Sequence, residues 1–280
     1  MNRQQQINKT LDELSERIYE FAKRESDRSI DKIDSIRKQI NGILADYSKD
    51  DGTISKSRIN TLLSELDTIE EDMYEALDSS LDQAVANTSE QAEKDIIGAL
   101  IAVLGITAVF GGLSKRPKSS DIVKEISDYV LNREIDGVTI RTRLAAVVGV
   151  MRDELQREIR YGVHIGLSIT QISRRVKTAF DRTVWQFRRI ITTEIPVAFR
   201  TGIALIGGKT GVIKAIKIID NRGRHKYHET HECYRLAEQD KYGMGKGVYL
   251  PTDTYIFDPH PQCTAYYHYI LNNDVIEGGN

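Results

Sequence analysis

Cysteine is nearly absent: Cys233 and Cys263 are the only two in 280 residues. Two thiols cannot build the disulfide lattice of a small secreted domain. Five prolines and 7% aromatic residues leave few helix breakers and few large rings, which suits long helices. The opening Met1-Asn2-Arg3-Gln4-Gln5-Gln6 has no apolar stretch of the kind a cleavable secretory signal needs, so a reducing compartment is the expectation. Catalytic fingerprints are missing too. Gly207-Gly208-Lys209-Thr210 lacks the spaced first glycine of a phosphate-binding loop, and no dinucleotide fingerprint occurs. His228-Glu229 is followed by Glu232 where a zincin helix has its second histidine, and Gly166-Leu167-Ser168 lacks the flanking glycine of a nucleophile elbow. Asp46–Gly52 fails as a calcium loop. With Gly52 in sixth place, Tyr47 falls first and Arg58 twelfth, where oxygen ligands are required. An enzyme of ADP-ribosyltransferase or hydrolase type is therefore disfavoured.

The length exceeds one average domain, and 40% hydrophobic with 29% charged residues describes an ordered chain. The net charge of −2 conceals an asymmetry. Residues 1–95 carry 13 Lys/Arg against 22 Asp/Glu, a net of −9, whereas residues 171–226 carry 13 Lys/Arg against 3 Asp/Glu, a net of +10. A basic segment of this density reads as solvated faces or as a surface for phosphate or an acidic partner.

The expected fold class is mostly α, with a long N-terminal helical hairpin and a small α+β C-terminal module. Ile7, Leu11, Leu14, Ile18 and Phe21 step by four and three, the spacing of one helical seam. Ile30, Ile33, Ile36, Ile40 and Ile43-Leu44 resume it after a polar break at Arg24–Ser29. A turn at 46–52 leads to a second seam, Ile59, Leu62-Leu63, Leu66, Ile69, Met73, Leu77, Leu81 and Val85. Residues 1–95 thus form an acidic, coiled-coil-like arm.

Segment 96–118 is an apolar run with a basic linker. Ile96–Leu113 is uncharged over 18 residues, the lower limit for crossing a bilayer. It reads as a buried core segment, as a conditionally membrane-active one, or as a constitutive membrane anchor. Segment 119–208 is a helical body. Ser120 and Ser168 are candidate N-caps, Ile135-Asp136-Gly137-Val138 is a turn, and a helix is expected from Thr139 to about Tyr161. One helix then follows Ser168, and another spans about 182–206, kinked or bounded at Pro196 and closed by Gly207-Gly208. Segment 209–280 is the α+β module, with strands expected over 211–219, 248–250 and 265–270.

The chemistry-bearing residues concentrate in the last third. His231-x-Cys233 and His260-x-x-Cys263 supply two imidazoles and two thiols, a donor set that zinc accepts. Free buried thiols beside satisfied histidines, and a Cys233–Cys263 disulfide, stay open as alternatives. His225 and His228 are substitute ligands nearby. Glu194 sits among Ile190, Ile191 and Ile195, where a carboxylate needs a cation or donor. Arg200 and Arg222 are its candidate partners, and Asp220 and Arg222 are candidates to fix the turn into the module. Arg174, Arg175, Lys177, Arg188 and Arg189, with Trp185 and Phe187 alongside, are candidates for contact with an acidic protein surface or DNA backbone.

Taken in order, Gly166-x-Ser168 with its basic helix, Thr193-Glu194, Asp220-x-Arg222, Cys233 with its neighbouring histidines, and His260-Pro261-x-Cys263 resemble the Mu F-like head morphogenesis proteins of tailed phages, also called minor head or minor capsid proteins. The resemblance covers about Asp136 to Tyr267. This chain departs from the family pattern at Thr192, where Arg is usual, at Leu236-Ala237-Glu238, where Leu-x-Gly is common, and after Cys263, where Thr264-Ala265 replace an Arg-Cys ending. The resemblance implies a non-enzymatic virion protein made in the host cytoplasm and bound at the portal vertex. Its partners would be the portal protein, with capsid or scaffold proteins and packaged DNA as further candidates, and its work head assembly and genome delivery. The alternative is an ejected, membrane-active protein that uses 96–113.

Overall fold

The structure is a computed structural model that describes residues 1–111, 113, 116–221 and 228–277. Helices dominate, as expected. In chain order they are α1 (Arg3–Asp46), α2 (Ile59–Leu104), α3 (Ile106–Phe110), α4 (Ser119–Asn132), α5 (Ile140–His164), α6 (Ile169–Thr210), α7 (Glu232–Glu238) and α8 (Asn273–Glu277). Five short strands accompany them: β1 (Glu134–Ile135), β2 (Val138–Thr139), β3 (Ile213–Ile219), β4 (Val248–Tyr249) and β5 (Tyr266–Leu271). The long N-terminal helical hairpin is α1 and α2. Its connection contains Gly52 at φ 75, a left-handed conformation that suits glycine.

The chain divides into two compact units built from interleaved segments. Unit 1 comprises Met1–Lys23, Ala84–Asn132 and Thr192–Asn280, and unit 2 comprises Arg24–Gln83 and Arg133–Ile191. Helices α1, α2 and α6 each contribute a stretch to both.

Unit 2 is a four-helix bundle. Ile33, Ile36, Ile40 and Leu44 of α1 are buried, as are Leu62, Leu63, Leu66, Ile69, Met73, Leu77 and Leu81 of α2. From α5 come Leu144, Val148, Met151, Leu155 and Ile159, and from α6 Ile172, Val176, Phe180 and Phe187. Each such side chain contributes about 1.5–3 kcal/mol on leaving water. The cavity between α1, α2 and α5 near Ile40, Leu66 and Leu155 measures only 10 Å³, so the layers interdigitate closely. Arg141 of α5 bonds Asp78 and Asp82 of α2, Arg152 bonds Glu70, and Gln156 bonds Asp67. Arg175 of α6 bonds Glu158 of α5, and Arg188 bonds Asp27 of α1. These pairings run in opposite chain directions on neighbouring helices. They describe an up-down-up-down bundle in the cyclic order α1, α2, α5, α6.

The helix ends follow local chemistry. The β1–β2 hairpin turns at Asp136 (φ 53) and Gly137 (φ 74), a primed turn that Asp-Gly favours. Thr139 then caps α5 by accepting from the Thr142 amide. α5 ends in a Schellman motif: Leu167 N–H donates to the Gly162 carbonyl and Gly166 N–H to that of Val163, with Gly166 at φ 76. Ser168 and Gln171 form a reciprocal capping box at the start of α6.

Several boundaries differ from expectation. α1 runs unbroken through Arg24–Ser29, whose Glu25, Ser26 and Ser29 are buried; the Ser29 hydroxyl satisfies itself on the Glu25 carbonyl. α6 is one helix across Pro196 and past Gly207-Gly208 to Thr210. Pro196 cannot donate to the carbonyl of Thr192, yet packing on both sides keeps the helix continuous. Gly207 is needed for close approach, because a Cβ there would lie 2.9 Å from the Tyr269 ring. Helix α4 starts at Ser119, so Ser120 falls inside its first turn. The apolar run 96–113 is not one helix. Gly105, at φ 84, ends α2, and α3 follows with Ile106 54% exposed. The most apolar 18-residue window of a described helix lies in α6 and is 89% buried, as a core helix would be.

Unit 1 packs its helices against a three-stranded antiparallel sheet of order β4-β3-β5. Strand β3 buries Ile213, Ala215, Ile216 and Ile218 and exposes Lys214 and Lys217; a register irregularity between Ile213 and Ala215 interrupts the alternation. Pairing runs from Ile219 opposite Tyr266 to Ile213 opposite Leu271. β5 is an edge strand, and the first turns of α1 cover it. Gln4, Asn8 and Asp12, four residues apart on one helix face, bond the Leu271 amide, the Tyr269 amide and the His268 ring. Unpaired edge groups thereby gain side-chain partners.

Candidate metal centre

Two turns and one helix assemble the site. Strand β3 ends at Ile219, which places Asp220 at its exit. His231 is the N-cap residue of α7, so Cys233 falls in the first turn of that helix and is fully buried. Helix α7 was not expected from the sequence. The second pair lies in the loop before β5. Gln262 adopts φ 56, and the Cys263 amide donates to the His260 carbonyl, so a tight turn returns the thiol toward the imidazole. Pro259 and Pro261 stiffen that turn.

The pairs meet. His260 Nε2 lies 3.2 Å from Cys233 Sγ, and the His231 and His260 rings stand edge to face at 4.7 Å. One donor atom from each of His231, Cys233 and His260 lies within 4.8 Å of the others, so these residues could hold a metal ion. A tetrahedral zinc site with bonds of about 2.0–2.3 Å needs ligand atoms about 3.6 Å apart, which this spacing approaches. Cys263 falls outside this group of three, and its sulfur accepts from the Ala265 amide at 3.4 Å. Both cysteines are free and buried, so the disulfide alternative does not describe this structure.

The electrostatics favour one shared thiolate. The hydrogen bond from Cys233 holds Cys263 well below the usual thiol range, with help from His260 and Arg200 against the cost of burial. The same bond, with burial, pushes Cys233 up. Burial opposes charge on His260, and its bond to Cys263 carries the imidazole above its ordinary value. Soft sulfur beside imidazole, with one thiol already biased to thiolate, is the donor chemistry that zinc selects.

Arg200 supports this loop from below. It is buried on α6, and its guanidinium donates to the carbonyls of Phe257 (2.7 Å), Cys263 (3.1 Å) and Ala265 (3.3 Å). The expectation that Arg200 pairs with Glu194 missed this role. Glu194 is fully buried one residue beyond Thr193, whose hydroxyl accepts from the Gln262 amide at 3.2 Å. Asp220 Oδ1 lies 3.8 Å from Cys233 Sγ. Arg222 and His225 lie outside the described residues, as does the side chain of His228.

The five basic candidates fall elsewhere. Arg174, Arg175, Lys177, Arg188 and Arg189 belong to unit 2, whereas the His/Cys cluster belongs to unit 1. Trp185 is 53% exposed, but Phe187 is a core residue and not a surface aromatic. The signal that could have found Arg200 is its place within an apolar run of α6, where a cation must have dedicated acceptors.

The chain matches no family model, no curated protein and no solved structure.

Proposed function

We propose that this chain is a non-enzymatic structural protein of a tailed-phage head, a minor head protein bound at the portal vertex. In this reading its C-terminal module is clipped by zinc through His231, Cys233, His260 and Cys263. One observation supports it. Part of the set that carries the resemblance to Mu F-like proteins, spread over 70 positions, converges on one spot: Thr193 on the Gln262 amide, Asp220 beside Cys233, and Cys233 against His260; Gly166 and Ser168 with their basic helix belong to unit 2. Zinc bound there would neutralise the thiolates and tie α7 to the loop before β5, which is structural work. Arg200 and the buried chain around Cys233 and Cys263 leave the sulfurs facing protein. That arrangement suits a clip more than an open catalytic position.

Purified virions of the parent phage test the reading. Density for this chain beside the twelvefold portal ring, with a metal peak between the four side chains, is the expected result. Absence of the chain from particles would overturn the head-protein assignment. A protein that elemental analysis finds without about one zinc per chain would overturn the clip.

A further inference from the structure

The bundle of unit 2 carries two opposed charge stripes. In the stretch 59–83, α2 has eight Asp/Glu and no Lys/Arg. Glu65, Asp67, Glu71, Asp72 and Glu75 are exposed. In 169–191, α6 has six Lys/Arg and only Asp181 of opposite sign. Arg174, Lys177, Arg182, Arg188 and Arg189 are exposed there, with Trp185 among them. At 100° per residue these basic positions fall within one arc of about 140°. The other two helices of the bundle show mixed signs on their wet faces, as Asp27, Arg28, Asp31 and Lys32 of α1 illustrate.

The helix order decides what these stripes can meet. The hairpin connection makes α1 and α2 neighbours, and ion pairs link α2 to α5, α5 to α6 and α6 to α1. α2 and α6 therefore occupy diagonal corners, and their solvent faces point in opposite directions. Neither stripe can neutralise the other within one molecule. Arg174 to Arg189 spans about 22 Å along the helix and Glu65 to Glu75 about 15 Å, so the acidic stripe fits within the length of the basic one.

We infer that the α6 stripe of one chain docks on the α2 stripe of a second copy, forming a head-to-tail contact. Both stripes remain open at the ends of such a pair, so the contact repeats, closing into a ring or extending as a filament. Charge complementarity selects this occupant: Arg188 already pairs with Asp27 of α1, and the chain itself presents an acidic helix face opposite in sign to Arg174, Lys177 and Arg182. The inference rests on the bundle and is independent of the head-protein reading.

Sedimentation of the full chain tests it. Wild-type protein should associate in low salt, with the association weakening roughly tenfold or more between about 0.05 and 0.5 M salt. A triple variant Arg174→Glu/Lys177→Glu/Arg182→Glu should stay monomeric, and so should Glu71→Lys/Asp72→Lys/Glu75→Lys. Mixing the two, or combining all six changes in one chain, should restore association. Trp185, the only tryptophan, reports the same contact without substitution: its emission should shift to shorter wavelength as wild-type concentration rises in low salt, and return on adding salt. A monomeric wild-type chain with unshifted emission in low salt overturns the proposal, as does a charge-reversed pair that fails to rescue. Binding of duplex DNA by the α6 stripe of a monomeric chain would overturn it in favour of a nucleic-acid partner.

Discussion

Polar groups do opposite work in the two units. In unit 2 the ion pairs between helices stand on the surface of an apolar bundle, as in the bonds of Arg141 to Asp78 and Asp82 and of Arg152 to Glu70, with each partner partly exposed, and the buried polar groups are few and small apart from Glu25. In unit 1 the decisive polar groups are inside. Arg200 holds three carbonyls, Tyr267 donates to the Ile256 carbonyl and Tyr269 to that of Ile203, and the buried Cys233 thiol meets the half-buried His260 imidazole. Exposed pairs exchange one set of solvent-screened bonds for another and contribute little. Buried groups have no water to return to, so each depends on its partner. The same residue types should therefore be tolerant of change in one unit and intolerant in the other.

The severest break should be Arg200→Met. It removes the donors of three carbonyls in the loop that carries His260 and Cys263, and should cost about 3–5 kcal/mol, read as a loss in the urea unfolding free energy. If the cost falls below that of an exposed pair, the contrast between the units fails. Next in size, under the proposed zinc clip, is removal of the metal. Chelation, or Cys233→Ala, should destabilise unit 1 by about 2–4 kcal/mol. Hydrogen exchange should rise around α7 and the 258–265 loop and stay unchanged in the bundle of unit 2.

Alkaline titration sharpens the comparison through the phenols. Burial raises Tyr267 and Tyr269 well above the ordinary phenol value. A raised folded value means stability that is fully present below pH 10, the unfolded value, and is lost as pH rises through the folded one. Phenolate absorbance should therefore show exposed tyrosines ionising first, with Tyr267 and Tyr269 ionising only as unit 1 opens. The smallest effect should be that of Arg141→Ala, about 1 kcal/mol or less by thermal melting, because its pairs with Asp78 and Asp82 are partly solvated.

Much of this architecture was legible from residue spacing. The seams of α1 and α2 predicted the helical hairpin, Asp136-Gly137 predicted the β1–β2 turn, Ser168 predicted the start of α6, and the interleaved lysines predicted β3. Each is a local signal, readable within one or two turns of chain. The misreadings were also local. Arg24–Ser29 and Gly207-Gly208 carry breaker chemistry, and packing overrode it: buried Ser29 bonds its own helix, and Gly207 makes room for Tyr269. At the site, the four donors were visible as residue types, but α7 and the role of Arg200 were not. A seven-residue helix has too few turns to show a period, and a buried arginine looks like any other until its acceptors fold over it.

The sequence by itself determined where the long helical stretches lie, which face of each is apolar, and that acidic and basic residues are segregated along the chain, because these follow from periods of a few residues. Only the tertiary structure decided that the acidic α2 and basic α6 stretches take diagonal corners of one bundle, and that His231 and Cys233 close on His260. Those outcomes depend on contacts between segments tens of residues apart, whose register is set by the packing of whole elements.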